Sequence, residues 1–159
     1  MSAEGYLGIY LNDHLAGAIV GSELAKRAAG NNAGTEVGAF LSRLADDIDD
    51  DRKALEDLMS RLGIQRNLLK DAAAWVAEKV GRLKLNGQLL GYSDLSRLIE
   101  LEGLSLGVEG KLALWRNLSQ VRDRYPTLAV TDLDELIRRA ETQRKELEGF
   151  RQNAAKETF

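Results

Sequence analysis

Residues 35–62 read TEVGAFLSRLADDIDDDRKALEDLMSRL, and their spacing decides the fold. Val37, Leu41, Leu44, Ile48, Leu55, Leu58 and Leu62 recur in steps of three, four or seven, which lays them along one face of an α-helix. Asp51 occupies the place in that stripe where the pattern calls for an apolar residue. Thr35 stands at the start, and Gly63 follows as a C-terminal cap because glycine tolerates the left-handed backbone that ends a helix. The stretch predicts one long helix with a single carboxylate on its buried face.

The same period recurs on both sides. Upstream, Leu7, Leu11, His14, Ala18, Gly21, Ala25 and Ala28 share a face over about 6–29, and Gly30-Asn31-Asn32-Ala33-Gly34 stops that helix. Downstream, Leu69, Ala72, Ala73, Val76 and Val80 predict a shorter helix over about 67–85, ended by Asn86-Gly87. Ser93 is a good N-cap for a helix over 94–125, with Leu98, Leu101, Ser105, Val108, Leu112 and Trp115 inward and Pro126 as its stop. Thr131 followed by Asp134 resembles a capping box opening a helix over 132–151, where Leu133, Leu136, Ile137, Ala140, Leu147 and Phe150 continue the stripe. The tail beyond Arg151 is expected to fray. No window alternates as a strand does, so the class is all-α, and 159 residues suit one domain over 1–159.

Short loops join 6–29 to 35–62 and 94–125 to 132–151, which makes each pair an antiparallel hairpin. The long connection between them, carrying the helix at 67–85, is enough to return the chain along the bundle, so 35–62 and 94–125 run parallel. Two hairpins with one long crossover resemble the ferritin-like four-helix bundle in architecture. In that superfamily, di-iron sites take a glutamate from each of two helices and a Glu-x-x-His pair from each of the others. Here His14 is the sole histidine and Leu11 stands three residues before it, so the di-iron motif is absent.

Composition narrows the chemistry further. The chain has no cysteine, 22 basic and 25 acidic side chains, and a net charge of -3. Thiolate nucleophiles, disulfides and cysteine-held metals are excluded, as is any site needing two imidazoles from one chain. The charge argues against a nucleic-acid partner, whose binding rests on neutralised phosphates. Asp13 and His14 split the apolar runs near the start, short of the roughly 20 residues that span a bilayer. With no basic region ahead of that apolar stretch, no signal peptide or membrane role is expected, and a cytoplasmic location is. The five carboxylates between Asp46 and Asp51 spread around a helix and read mostly as a solvated face. Lys79, Arg82 and Lys84 read as solubility, and Trp75 and Trp115 as core.

Comparing heights along the bundle gathers one polar layer. A turn centred near Asn32 sets His14 level with about Asp50, and parallel starts at Thr35 and Asp94 set Asp51 level with about residue 110, beside Glu109. His14, Asp47, Asp51 and Glu109 are therefore the candidate ligands for a single divalent zinc, manganese or iron ion, since imidazole and carboxylate suit all three. The competing reading is a structural layer of His14, Asp51, Glu102, Glu109 and Arg144, with Gln143 nearby and Arg144 or Arg139 balancing the charge. The same alignment sets Gly17 and Gly21 against Gly103 and Gly107, predicting close packing of those two helices. No serine has a positional base, and no catalytic residue or resident cofactor is expected. Two functions follow from the residues: a non-catalytic bundle acting through its surface, as a homodimer or with a protein partner, or a degenerate metal or small-molecule site in the polar layer.

Overall fold

A computed structural model of the chain describes residues 2–67 and 91–159. The helix expected at 67–85 and its tryptophan and basic end lie outside the described residues, apart from Asn67. Four long helices, α1 (Ala3–Asn31), α2 (Glu36–Arg61), α3 (Asp94–Gln120) and α5 (Leu133–Thr158), pack together. A 3-10 turn at Arg122–Arg124 and a one-turn helix, α4 (Pro126–Ala129), join α3 to α5. Among the described residues there is no strand.

Helix ends follow side-chain chemistry. Ser2, Thr35, Ser93 and Asp132 each accept a hydrogen bond from the backbone N–H three residues on, satisfying a donor that the first turn leaves without an intrahelical partner. At the end of α2, Gly63 takes φ +70°, the Gly63 N–H donates to the Ser60 carbonyl and the Ile64 N–H to that of Met59. This closes the helix in the Schellman manner.

Three boundaries differ from expectation. The helix expected to reach residue 125 ends at Gln120, and Pro126 opens α4 instead of stopping α3, because proline's fixed φ and missing N–H suit the first turn of a helix. The last helix is capped by Asp132, while the Thr131 hydroxyl donates to the Thr127 carbonyl. It runs to Thr158 without fraying at 151, since Ala154 is buried and Arg97 of α3 holds Glu157 at 2.7 Å.

The core forms two clusters along the bundle. One joins Leu24, Phe40, Leu41, Leu44, Leu101, Leu104 and Leu147, with Phe150 stacked on Phe40 at a ring separation of 4.6 Å. The other joins Leu11, Leu15, Leu55, Leu58, Met59, Leu112, Trp115 and Leu136. Between them on α2 lies Asp51, in the position the apolar period gave it.

Polar pairs fix how the helices align. Between α3 and α5, Arg97 meets Glu157, Glu102 meets Arg151, Glu109 meets Arg144 and Arg116 meets Glu141. Between α2 and α5, Arg43 meets Glu146, Asp47 meets Gln143 and Asp51 meets Arg139. Between α1 and α3, Arg27 meets Glu100 and Tyr10 meets Asn117. In each set the numbers rise on one helix as they fall on the other.

The expected glycine-on-glycine contact takes a different form. A methyl group at Gly103 would lie 3.2 Å from Leu24 Cδ2, whereas one at Gly17, Gly21 or Gly107 would meet nothing within 4 Å. Leucine therefore fills the approach at Gly103. The other three glycines give up about 1 kcal/mol each of helix propensity relative to alanine, with no packing inside the described chain in return.

Candidate functional site

The polar layer is built around Asp51, which is 3% exposed. Lys111 of α3 places Nζ 2.5 Å from Asp51 Oδ2 and 2.5 Å from Gln143 Oε1, while the Arg139 guanidinium of α5 donates to Asp51 Oδ1. Gln143, itself buried, directs Nε2 toward Asp47 Oδ2 at 3.4 Å. Three helices thus supply two cations, two carboxylates and one amide. Burial pulls the Lys111 ammonium below its usual range, and the adjacent Asp51 carboxylate opposes that shift.

Each expected site residue can now be placed. Asp47 and Asp51 share the layer. Glu109 and Arg144 are exposed and pair with each other at 3.1 Å on the α3–α5 seam, and Glu102 pairs with Arg151 there, so none of the three enters the buried network. His14 does not meet the acidic run of α2. Ser22 donates to Asp49 at 2.7 Å and Lys26 holds the same carboxylate at 2.9 Å, and Ser22 lies eight residues, or about 12 Å, beyond His14 along α1. Asn32 still bonds back to Ala28, so the turn is centred beyond it and the two helices slide relative to the expected register. The His14 ring packs edge-on against Tyr10 at 4.6 Å. Among the described residues, no three of histidine, aspartate and glutamate converge in a metal-holding group.

His14 still has a measurable consequence. It is half-buried, and burial lowers its pKa from 6.5 more than neighbouring Asp13 raises it. Between the lowered folded value and 6.5, the unfolded chain binds more protons, so stability falls as pH drops through that window. Urea unfolding between about pH 5 and pH 7 should show a steeper acid loss for the wild type than for His14→Gln. Equal slopes would refute it.

A second polar cluster escaped the sequence reading. Glu100 is 6% exposed and accepts from Arg27 Nε at 3.3 Å and from the Tyr92 hydroxyl at 3.0 Å. Buried Asn32 donates to Tyr92 Oη at 2.6 Å and to the Ala28 carbonyl at 2.8 Å. Burial foremost, reinforced by Glu100, pushes the Tyr92 phenol up to about 12, so it stays a donor at neutral pH. The cluster ties the α1–α2 turn to the residues entering α3. Only burial at position 100 pointed to it, since Leu98, Leu101 and Leu104 place Glu100 beside the core stripe.

An open groove of about 500 Å³ between α2 and α5 leads to the layer, lined among others by Asp47, Arg139, Thr142 and Gln143. Of the polar layer, Asp47, Arg139 and Gln143 line it, whereas Asp51 and Lys111 do not. No described helix is long and apolar enough to cross a membrane. No family model, no curated protein and no solved structure matches the chain.

Proposed function

We propose that this chain is a non-catalytic, ferritin-like helical bundle that acts through its surface in the cytoplasm, with Asp51, Lys111, Arg139 and Gln143 as a structural layer inside it. The falling and rising residue pairs run α5 against both α2 and α3, and α1 against α3, so α2 and α3 run alike and α1 runs against α2, which supports two antiparallel hairpins, α1 with α2 and α3 with α5, as in that architecture.

The observation that carries the structural reading is that both Asp51 oxygens already accept from cations. A metal ligand needs a free lone pair aimed at the ion, and a neighbouring ammonium and guanidinium repel a divalent cation. With His14 outside the network, the metal reading has no imidazole to call on.

Loading the pure protein with zinc, manganese and iron, desalting it and measuring metal content tests this. The expected result is substoichiometric metal that is the same in wild type and in His14→Ala. Near-stoichiometric metal that is lost in His14→Ala would overturn the structural reading in favour of a metal site.

A further inference from the structure

Residues 68–90 are bracketed by two anchors on α1. Where the chain leaves the described residues, Asn12 donates from Nδ2 to the Gln65 carbonyl at 3.1 Å, and its Oδ1 accepts from the Asn67 N–H at 2.8 Å. Where it returns, Asn32 donates from Nδ2 to the Tyr92 hydroxyl at 2.6 Å, and that hydroxyl donates to Glu100 of α3 at 3.0 Å. Asn12 and Asn32 stand 20 residues apart, about 30 Å along the helix. The intervening chain therefore begins beside Asn12 and finishes at the far end of α1, on the α1–α3 seam.

The two flanks of α1 differ in what they offer. Toward α2 the flank is polar, with Ser22 and Lys26 both on Asp49. Toward α3, Leu15–Gly21 carries no charge, neither does Gly103–Val108 on α3, and Leu106 is 76% exposed. The sequence of residues 68–90 complements this second flank. Leu69, Ala72, Ala73, Val76, Val80 and Leu83 recur in steps of one, three and four, with Asp71, Glu78, Lys79 and Arg82 between them. Such a pattern calls for an apolar surface on one side and water on the other. The helix that the period predicts over about 67–85 is about 27 Å long, which fits the interval between the anchors and leaves 86–90 to reach Tyr92.

We propose that the α1–α3 face is the docking surface for this chain's own residues 68–90, which follow α1 from Asn12 to Asn32 and set their apolar stripe on Leu106, Val20 and the uncharged turns around Gly17 and Gly107. Both anchors hold the occupant at the face before any contact in between is made, so its effective concentration there exceeds that of a free partner. A close approach by this stripe also compensates for the glycines of α1 and α3, which no contact within the described chain does. The inference goes beyond the surface reading above: it takes the α1–α3 face out of a partner's reach and leaves the charged outward side of α2 and α5, where Asp46, Asp50, Arg138 and Lys145 are exposed.

Paramagnetic broadening in the full chain tests it. The chain has no cysteine, so Glu23→Cys, exposed on α1 at the rim of this face, and Lys145→Cys, exposed on α5, each take a single nitroxide. Amide signals within residues 68–90 of nitrogen-15-enriched protein should broaden under the Glu23 label and survive the Lys145 label. Mixing enriched, unlabelled chain with unenriched, nitroxide-bearing chain should broaden none of them. Trypsin adds a second readout, because Lys79, Arg82 and Lys84 are cleavable and cutting tracks the undocked fraction. Leu106→Arg removes a docked leucine from the face and should speed those cuts at least about 10-fold. Signals that ignore the Glu23 label, or cuts no faster in Leu106→Arg than in wild type, overturn the placement. Broadening that appears in the mixed sample gives the face to a second copy and overturns it too. None of these outcomes touches metal retention, so the structural reading of the polar layer keeps its own test.

Discussion

Replacing Asp51 by asparagine should lower the unfolding free energy by about 3–5 kcal/mol, the cost of leaving buried charge without its partner. Lys111 and Arg139 would then share only Asp47, which reaches the layer through Gln143. In a chain whose whole stability is of order 5–15 kcal/mol, urea denaturation would report such a loss as a large drop in midpoint. Removing the whole network should cost far less. With Asp51→Leu, Lys111→Met and Arg139→Leu combined, no charge is stranded, and well-packed apolar groups often match or exceed a buried ion pair. The pH response follows from Lys111. Because its folded pKa lies below 10.5, the unfolded chain binds more protons between those values, and stability rises with pH across that window. Lys111→Met should flatten that rise. A loss under about 1 kcal/mol in Asp51→Asn would mean the layer is open to water and worth no more than a surface pair.

Why Asp51 was visible and His14 misleading comes down to which end of a helix sets the register. Thr35 and Ser93 are both strong N-caps, so counting forward from starts at Thr35 and Asp94 set Asp51 level with about residue 110, and its partner is Lys111. The α1–α2 register depends instead on the turn, where Asn31 remains helical and Asn32 bonds back to Ala28. The expected turn set Asp49 opposite about residue 15, whereas Ser22 and Lys26 meet it, so the acidic run lies away from His14 by more than the displaced turn centre alone would move it. Lys111 escaped notice for a different reason. A lysine beside the stripe formed by Val108 and Leu112 reads locally as a snorkelling surface cation, and only Asp51 on another helix turns it inward. Glu100 and Tyr92 meet at a spacing of eight residues across a helix start, a geometry that helical periodicity does not encode. At the far end, a polar sequence after Arg151 argued for fraying, yet tertiary support from Arg97 and a buried Ala154 carries α5 onward.

Helix propensity predicts that Gly38→Ala stabilises α2 by about 1 kcal/mol, and the structure predicts the opposite sign. A methyl at Gly38 would overlap the Asn32 carbonyl. That carbonyl accepts from the Thr35 N–H at 3.2 Å and from the Thr35 hydroxyl at 2.7 Å, and the same hydroxyl accepts from the Gly38 N–H at 3.1 Å to cap α2. Asn32 cannot swing aside cheaply, since its side chain is buried between Ala28 and Tyr92, and Gly34 at φ +82° already holds the turn in a conformation that other residues resist. Making room would break the cap, the turn hydrogen bonds or the link to Tyr92, a loss of about 2–3 kcal/mol for overpacking of this kind. Gly149→Ala on α5 is the matched control. There an added methyl meets nothing within 4 Å, and a gain of about 0.5–1 kcal/mol is expected. Urea unfolding of the two variants side by side should move the midpoint in opposite directions. If Gly38→Ala proves as stable as Gly149→Ala, the tight seat of Asn32 over the start of α2 is wrong, and with it the link that carries the turn to Tyr92 and Glu100.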